Sequence, residues 1–369
     1  MADSWLVTDP AAEAGSIETL PPLEGWTVVT RADLAESDLT FGPEARVAIT
    51  TEAAMPEVLG RLDQNRRAAI ETLKDKVAFR IALRDRYPHL DFRDVSLDQL
   101  PSLTIAAGSR YVVKPARGVF GTAVHEVHNG TDLTALRDRI SSEVARGVQV
   151  LSASALSGDT LIVEPFIEGE EYAVDAVFTM DGTPIVVGAY RHPMPHNSAY
   201  LHVVYHAGAE VLAAVYEQAL DFFQYLGATL DLHGMAMHGE FRLDSSGQLV
   251  PIEVNSMRVG GMGLGNMLHH TAGIDAFQHF RTETVPDWSA VREDDHFHVF
   301  MVAYNGATID TATHRPDWDA LRRHFDDIVL EVPFDHRQQL AFGVVFARQR
   351  PERLDELLSL EFDELFVAD

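Results

Sequence analysis

The chain has 369 residues, 46% hydrophobic and 23% charged, which is enough to bury a full core and suggests two or three domains or lobes. Its formal net charge is −27 and no basic cluster interrupts the acidity, which argues against a nucleic-acid binder. The absence of cysteine excludes disulfides, thiolate catalysis and cysteine-ligated zinc. No apolar run approaches the roughly 18 residues of a membrane span, and Met1-Ala2-Asp3-Ser4 is not a basic, apolar leader, so a cytoplasmic protein with no membrane partner is expected.

In chain order, Trp5-Leu6-Val7-Thr8, Trp26-Thr27-Val28-Val29 and Val47-Ala48-Ile49-Thr50 predict three buried strands, followed by a helix over 56–65. Residues 1–65 thus read as a small N-terminal α/β domain without a G-x-G-x-x-G. Residues 66–86 are helical and rich in charge, and Tyr87-Pro88 breaks them. Residues 108–130 predict two strands joined by a glycine loop. A helix over 131–146 starts on Thr131-Asp132 and is expected to stop at Gly147. Strands at 161–163 and 172–178 flank Glu164-Pro165-Phe166-Ile167-Glu168-Gly169. An amphipathic helix over 210–226 is expected to end at Gly227, and a hairpin follows at 235–255, then a glycine-rich stretch over 260–265. The tail over 291–369 reads β-α-β-β-α-β, the order of a ferredoxin-like unit, which serves either as a homodimer contact or as a lid. The fold class expected is α/β, with lobes at 1–65, 66–290 and 291–369.

Three of the 29 basic residues are lysine: Lys74, Lys76 and Lys114. Lysine presents a compact point charge on a thin stem, whereas arginine presents a wide planar fork. Lys114 ends the apolar run Tyr111-Val112-Val113-Lys114-Pro115, ahead of a loop with two glycines, which suits a nucleotide phosphate. Lys74 reads as a solvated helix residue.

The hairpin carries the strongest chemistry. A four-residue loop over 245–248 places Asp244 opposite Leu249 and Leu243 opposite Val250, and counting outward brings Glu240 opposite Glu253. Asn255 shares the face of Glu253, while Phe241, Val250, Ile252 and Val254 fall on the other face. Two carboxylates directly opposite each other repel, and a cation between them reverses the sign. The three oxygen donors suit Mg²⁺ or Mn²⁺.

Taken together and in order, Lys76, Lys114-Pro115 with Arg117-Gly118-Val119-Phe120-Gly121-Thr122, Glu164-Pro165-Phe166-Ile167, Gly169-Glu170-Glu171-Tyr172-Ala173-Val174-Asp175, Glu240 and Glu253-Val254-Asn255-Ser256-Met257-Arg258 resemble the ATP-grasp superfamily over about residues 70–285. The resemblance implies an ATP-grasp fold. It also implies that Lys76 and Lys114 hold the phosphates of ATP, with Gly118 and Gly121 in a flap over them. Glu164, Pro165, Phe166 and Ile167 would form the hinge that reads adenine through backbone groups, and Glu171 would bind ribose. Glu240, Glu253 and Asn255 would ligate Mg²⁺ or Mn²⁺, and Arg258, with Lys114, would stabilise the charge of an acylphosphate. The pattern departs from the family at Arg258, where one extra residue follows Asn255. The flap also lacks the long glycine run of biotin carboxylases.

The activity implied is an ATP-dependent ligase that activates a small carboxylate as an acylphosphate and joins it to an amine. Alternatives are another ATP-grasp enzyme, such as a carboxylase or acid–thiol ligase, or a non-catalytic nucleotide-binding regulator. The segment Tyr190-Arg191-His192-Pro193-Met194-Pro195-His196-Asn197-Ser198-Ala199-Tyr200-Leu201-His202 reads either as a substrate loop, with Arg191 on a substrate carboxylate, or as a polar surface loop. The adjacent His269 and His270 read as structural rather than as a metal pair.

Overall fold

The computed structural model describes residues 3–13, 15–118, 121–150, 157–194 and 203–369. The three short apolar runs of the N-terminus form parallel strands β1 (Ser4–Thr8), β2 (Thr27–Thr30) and β3 (Arg46–Ile49), in the order β2-β1-β3. The expected helix over 56–65 is divided into Met55–Leu59 and Gln64–Lys74. Asp63 accounts for the division, since its side chain caps the second helix by accepting from Arg66 N. Arg66 is fully enclosed and donates to the carbonyls of Ala45 and Gly42, which ties this helix to the foot of β3. A second cap, Asp75, restarts the chain as the helix Lys76–Ala82.

Four strands, β4 (Arg93–Ser96), β5 (Arg110–Arg117), β6 (His125–His128) and β7 (Ser157–Pro165), form an antiparallel sheet in the order β4-β7-β5-β6. The helix Leu133–Val150 belongs to the same lobe, and Val113, Val127, Ile140, Leu161 and Val163 share one core there. This helix runs through Gly147 rather than stopping at it.

An eight-stranded sheet carries the rest. It contains β8 (Glu170–Phe178), β9 (Pro184–His192), β10 (Val203–Ala207), β11 (Ala236–Leu243), β12 (Leu249–Ser256) and β13 (Phe297–Tyr304). After the short β14 (His314–Pro316) come β15 (Asp327–Pro333), β16 (Ala341–Gln349) and β17 (Phe366–Ala368). The order is β12-β11-β8-β9-β10-β13-β16-β15, and β14 pairs separately with β17. The β-α-β-β-α-β order of the tail is present, but its strands do not close on themselves. β10 takes the place beside β13, so the sheet continues across residue 290.

The helix Ala209–Leu230 packs on the central sheet through Val215, Phe222, Phe223 and Leu226. It too runs past its expected stop and ends at Asp231, φ 53°. Gly227 is there for proximity: a Cβ on it would lie 2.6 Å from Cε1 of Phe178. Among the described residues, no helix is long and apolar enough to cross a membrane.

Candidate functional site

A cavity of about 310 Å³ lies between the β5–β7 wall and the β11–β12 edge. It gathers Lys76, Lys114, Gly118, Gly121, Glu164, Pro165, Phe166, Ile167, Glu171, Glu240 and Glu253. These residues are spread over 178 positions of sequence, and their convergence is the main structural result for the site. Val119 and Phe120 of the expected flap lie outside the described residues.

On the first wall, β5 and β7 pair with Val112 opposite Glu164 and Lys114 opposite Ile162. That offset lets Lys114 Nζ reach Glu164 Oε1 at 2.6 Å. Arg80 Nε donates to Glu164 Oε2 at 2.7 Å. All three residues are buried. Burial alone would raise the Glu164 carboxyl, but the charges of Lys114 and Arg80 outweigh it and hold the group down at about 2. Lys114 shares that carboxylate with Arg80 and is itself enclosed, so burial holds its ammonium below the usual value. Glu164 therefore spends its side chain inside the protein, and the chain leaves the sheet only at Phe166. The Phe166 N–H donates back to the Arg110 carbonyl, and the guanidiniums of Arg110 and Arg242 lie 4.1 and 4.8 Å from its ring centroid.

The hairpin departs from the expected register and then recovers it. Leu243 faces Leu249, Arg242 faces Val250 and Phe241 faces Pro251 across a five-residue connection. Asp244 holds that turn by accepting from the N–H groups of Ser246 and Gln248. An irregularity between Glu240 and Phe241 then skips Ile252, and Glu240 faces Glu253 after all. The bulged backbone is filled from outside: Arg80 Nη1 and Nη2 donate to the carbonyls of Pro251 and Ile252 at 2.9 and 3.1 Å. Ile252 consequently lines the cavity, whereas Phe241, Val250 and Val254 are core residues as the alternation implied.

Lys76 Nζ sits 3.2 Å from Glu253 Oε2 and donates to the Gly118 carbonyl at 3.0 Å. Asn255 Nδ2 donates to Glu253 Oε1 at 3.4 Å. Burial opposes the charge of Glu253, yet Lys76 and Lys114 prevail and hold its carboxyl below the ordinary range. Glu240 has no lysine or arginine within 4 Å among the described residues. Burial, then the charges of Glu253 and Glu171, push it up to about 8. Beside it, His238 Nε2 is 3.9 Å from Glu240 Oε1, and His238 Nδ1 is 2.7 Å from Asp175. Asp175 also accepts from Tyr190 Oη and the Gly260 N–H. A carboxylate only accepts, so His238 Nδ1 carries a proton and donates it to Asp175.

Glu171 is held by His192 Nδ1 at 3.0 Å and Arg242 Nη2 at 3.2 Å. Arg258 does not line the main cavity. Met257, the extra residue before it, is left-handed (φ 66°) and its carbonyl accepts from Ile49 N. The turn directs Arg258 Nη2 to Glu52 at 3.1 Å, beside a smaller cavity shared by Lys74, Lys76, Glu253, Asn255 and Ser256. Lys74 is not solvated as expected: it lies 4.0 Å from Glu52, and burial lowers its ammonium. Arg191 is engaged by Glu170 rather than free for a substrate carboxylate. His270 is structural, with Nε2 2.7 Å from the Thr19 carbonyl and its ring stacked on Phe346. Residues 195–202 of the expected substrate loop lie outside the described residues.

Sequence reasoning missed Arg80, Arg242, Glu52 and the buried Asp175–His238 pair. Arg80 left a signal, because it stands one helical turn after Lys76 and therefore shares its face. Glu52 left none, because it reaches the site from the loop after β3.

Residues 108–266 match the family model of the ATP-grasp domain. No curated protein matches the chain in sequence. Among solved structures, L-amino acid ligase from Bacillus licheniformis aligns over 100% of this chain and 98% of its own, with 15% identity and a TM-score of 0.67. N5-carboxyaminoimidazole synthase from Aspergillus clavatus, in complex with ADP and 5-aminoimidazole ribonucleotide, aligns over 97% and 98%, with 14% identity and a TM-score of 0.60. Biotin carboxylase from Campylobacter jejuni aligns over 100% and 92%, with 14% identity and a TM-score of 0.60. At these identities the likeness is one of fold. The chain carries an ATP-grasp domain set in the ATP-grasp fold.

Proposed function

We propose that the protein is an ATP-dependent ligase that converts a small carboxylic acid to an acylphosphate and joins it to an amine, releasing ADP and phosphate. The observation that carries this reading is the cross-strand pair Glu240 and Glu253, which leaves Glu240 without a lysine or arginine partner among the described residues, in a cavity that Lys76 and Lys114 also line. Glu240, Glu253 and Asn255 form a set of hard oxygen donors that fits Mg²⁺ or Mn²⁺, with coordination positions left for phosphate oxygens. Such an ion would neutralise phosphate charge.

The chain's own groups supply the rest. Lys76 and Lys114 hold the phosphates, and Glu171 takes the ribose. The apolar wall of Val112, Ile252, Phe166 and Ile167 takes the adenine, with Glu164, Pro165, Phe166 and Ile167 as its hinge and Gly118 and Gly121 in the flap. A substrate carboxylate attacks the γ-phosphorus, forming the acyl–phosphate bond as the bond to ADP breaks. The amine then attacks the acyl carbon, phosphate leaves, and the amine gives up a proton. Arg258 stabilises the acylphosphate once Glu52 yields it. Phosphoryl transfer asks for positioning and charge neutralisation rather than a protein nucleophile. The structural neighbour named as an L-amino acid ligase supports this reading. The substrates are small molecules rather than nucleic acid, and a cytoplasmic location suits the acidic, cysteine-free chain.

The test is phosphate release across a matrix of carboxylic acids and amines, with mass spectrometry of the products. Release that needs both partners supports the ligase. Release with bicarbonate in place of both redirects the reading to a carboxylase. ADP and ATP binding without release under any condition leaves a nucleotide-binding regulator.

A further inference from the structure

The smaller cavity beside Arg258 is lined by a carboxylate that the protein supplies itself. Glu52 opens the turn Glu52–Ala54 that follows β3, and Lys74 ends the helix Gln64–Lys74. Both line this cavity, together with Lys76, Gly118 and Glu253. The last three also line the main cavity, so the two spaces adjoin at the lysine that faces the acid wall. With Glu52 in place the smaller space is about 20 Å³, room for a water-sized group.

One carboxylate between a lysine and an arginine is an arrangement this protein builds twice. At Glu164 it is tight, with Lys114 and Arg80 at 2.6 and 2.7 Å. At Glu52 it is loose. Arg258 Nε and Nη2 reach Oε1 at 3.3 and 3.1 Å, and Lys74 Nζ stands 4.0 Å from Oε2. The fork of a guanidinium can engage both oxygens of a carboxylate, and here it engages one. The Lys74 ammonium has three donors, yet among the described residues it makes no hydrogen bond and Glu52 is its one ion-pair partner within 4 Å. Burial lowers that ammonium, Glu52 and Glu71 support its charge, and Arg117 and Arg258 oppose it. The two sites also differ in access. Glu164 lies within a sheet, whereas Glu52 sits on a turn and the Lys74 and Glu52 side chains keep 16% and 12% of their surface.

We propose that the space between Lys74 and Arg258 is the seat of the acid substrate's carboxylate, and that Glu52 is a stand-in that fills it in the empty protein and swings out as the acid enters. The exchange is like for like: one planar group with two oxygens and one negative charge replaces another, so the pairing of both cations is kept. A cation is refused by Lys74 and Arg258. A neutral amide would leave two largely buried cations without a counter-charge, which is costly. Leaving the turn breaks no strand pairing, since Glu52 belongs to no ladder. Lys74 thereby becomes a determinant of specificity for carboxylic acids, and Glu52 a competitor that weakens the apparent affinity of every acid by the fraction of time it holds the seat. That the acid is a substrate rests on the ligase reading; that the seat exchanges one carboxylate for another does not.

The test uses the intact chain with sodium acetate as probe, sodium chloride at equal ionic strength as control and inorganic phosphate as a second anion. Thermal unfolding reports binding, because a ligand of the folded state raises the midpoint in a saturable way. Glu52→Ala removes the stand-in, and acetate is expected to bind this variant about tenfold or more tightly than the wild type, the scale of hydrogen bonds to charged groups. Glu52→Gln keeps the shape and loses the charge. It should shift in the same direction, and it carries the test if Glu52→Ala does not fold. Lys74→Met added to either variant should abolish the gain. Acetate that does no better than chloride in the Glu52 variants overturns the proposal, and so does a gain that survives Lys74→Met. A gain with phosphate and none with acetate overturns the assignment to carboxylates. Phosphate release across acids and amines separates the two readings. Turnover by the wild type without an acetate gain in the Glu52 variants defeats the stand-in alone. An acetate gain that depends on Lys74, with no turnover of any pair, upholds the seat and defeats the ligase.

Discussion

The two walls of the main cavity treat buried charge in opposite ways. On the β5–β7 wall, Glu164 is enclosed between Lys114 and Arg80, and Arg80 spends its remaining donors on the carbonyls of the β12 bulge. On the β11–β12 wall, Glu240 and Glu253 face each other with one near lysine between them, and that lysine sits on Glu253. The first wall is complete without any ligand. The second sets two acids against one near lysine, and burial with the charge of Glu253 keeps a proton on Glu240 up to about pH 8. A protein that needed these acids for stability alone would be expected to pair both, since an unpaired buried carboxylate is costly. The asymmetry separates a wall whose charges are paired within the protein from a wall that leaves Glu240 without a lysine or arginine among the described residues.

The largest effects should come from removing one member of each wall that faces ligand. Lys114→Ala and Glu253→Ala are each expected to reduce ATP turnover by at least about 100-fold, the scale of losing a group that stabilises transferring charge. Both should keep the wild-type circular dichroism spectrum. Wild-type rates in either variant, measured by phosphate release, would remove that residue from the site.

Stability should divide the walls the other way. Arg80→Met leaves Glu164 with half its compensation and three acceptors unmet, and should cost about 3–5 kcal/mol in urea unfolding. Arg80→Lys should recover little, because one ammonium cannot span Glu164 and two backbone carbonyls. Glu253→Ala in metal-free buffer removes one of two mutually repelling acids and should cost far less. Equal losses on the two walls would erase the distinction drawn between them.

How much of this was legible in the sequence follows from the same distinction. Alternation with period two and a turn rich in Asp, Ser and Gly set Glu240 opposite Glu253, and the structure has that pair through two departures that cancel. The route was different, however: the connection is one residue longer than expected and the bulge at Ile252 cancels the error. A bulge filled by a distant arginine has no local signature, so Ile252 was misassigned to the core face. Gly147 and Gly227 read as helix stops because glycine is the usual residue there. Gly227 instead makes room for Phe178, a contact between elements far apart in sequence. Lys74 read as solvated because its partner Glu52 precedes it by 22 residues, just after β3, with no pattern that pairs the two. The strand order of the C-terminal tail was legible, but its pairing with β10 was not, since β10 has no pattern that names its neighbour. Residues that line the main cavity were found by type and spacing; residues that hold them in place were hidden by long-range packing.

The acid wall should also show itself in pH dependence. Glu240 is raised in the folded protein, so its contribution to stability is full below the ordinary carboxylate range and is lost as pH rises through about 8. In chelator, the thermal midpoint of the wild type should fall relative to Glu240→Gln over that interval. Added Mg²⁺ should restore it at the alkaline end in the wild type only. The Glu240 side chain keeps 29% of its surface exposed, so a difference of a few degrees is expected rather than a collapse. Parallel curves for the two proteins, with and without Mg²⁺, would mean that Glu240 is not the waiting acid.

The smallest and most discriminating effect concerns Lys76, which joins the two walls. Its Nζ fits between Glu253 Oε2 at 3.2 Å and the Gly118 carbonyl at 3.0 Å, at the edge of both the main cavity and the cavity beside Arg258. Three lysines in a chain with 29 basic residues could be compositional residue or physical requirement. Lys76→Arg keeps the charge and changes only its shape. If a slim cation is required, the planar fork should crowd Glu253 and weaken ADP binding by about tenfold in calorimetry, with the fold intact. Lys76→Met, which removes the charge, should weaken it further. If Lys76→Arg binds ADP as the wild type does, shape is irrelevant at this position. The joint between the walls then needs a positive charge and nothing more specific, and Lys114, enclosed by Glu164, becomes the only lysine whose identity the site demands.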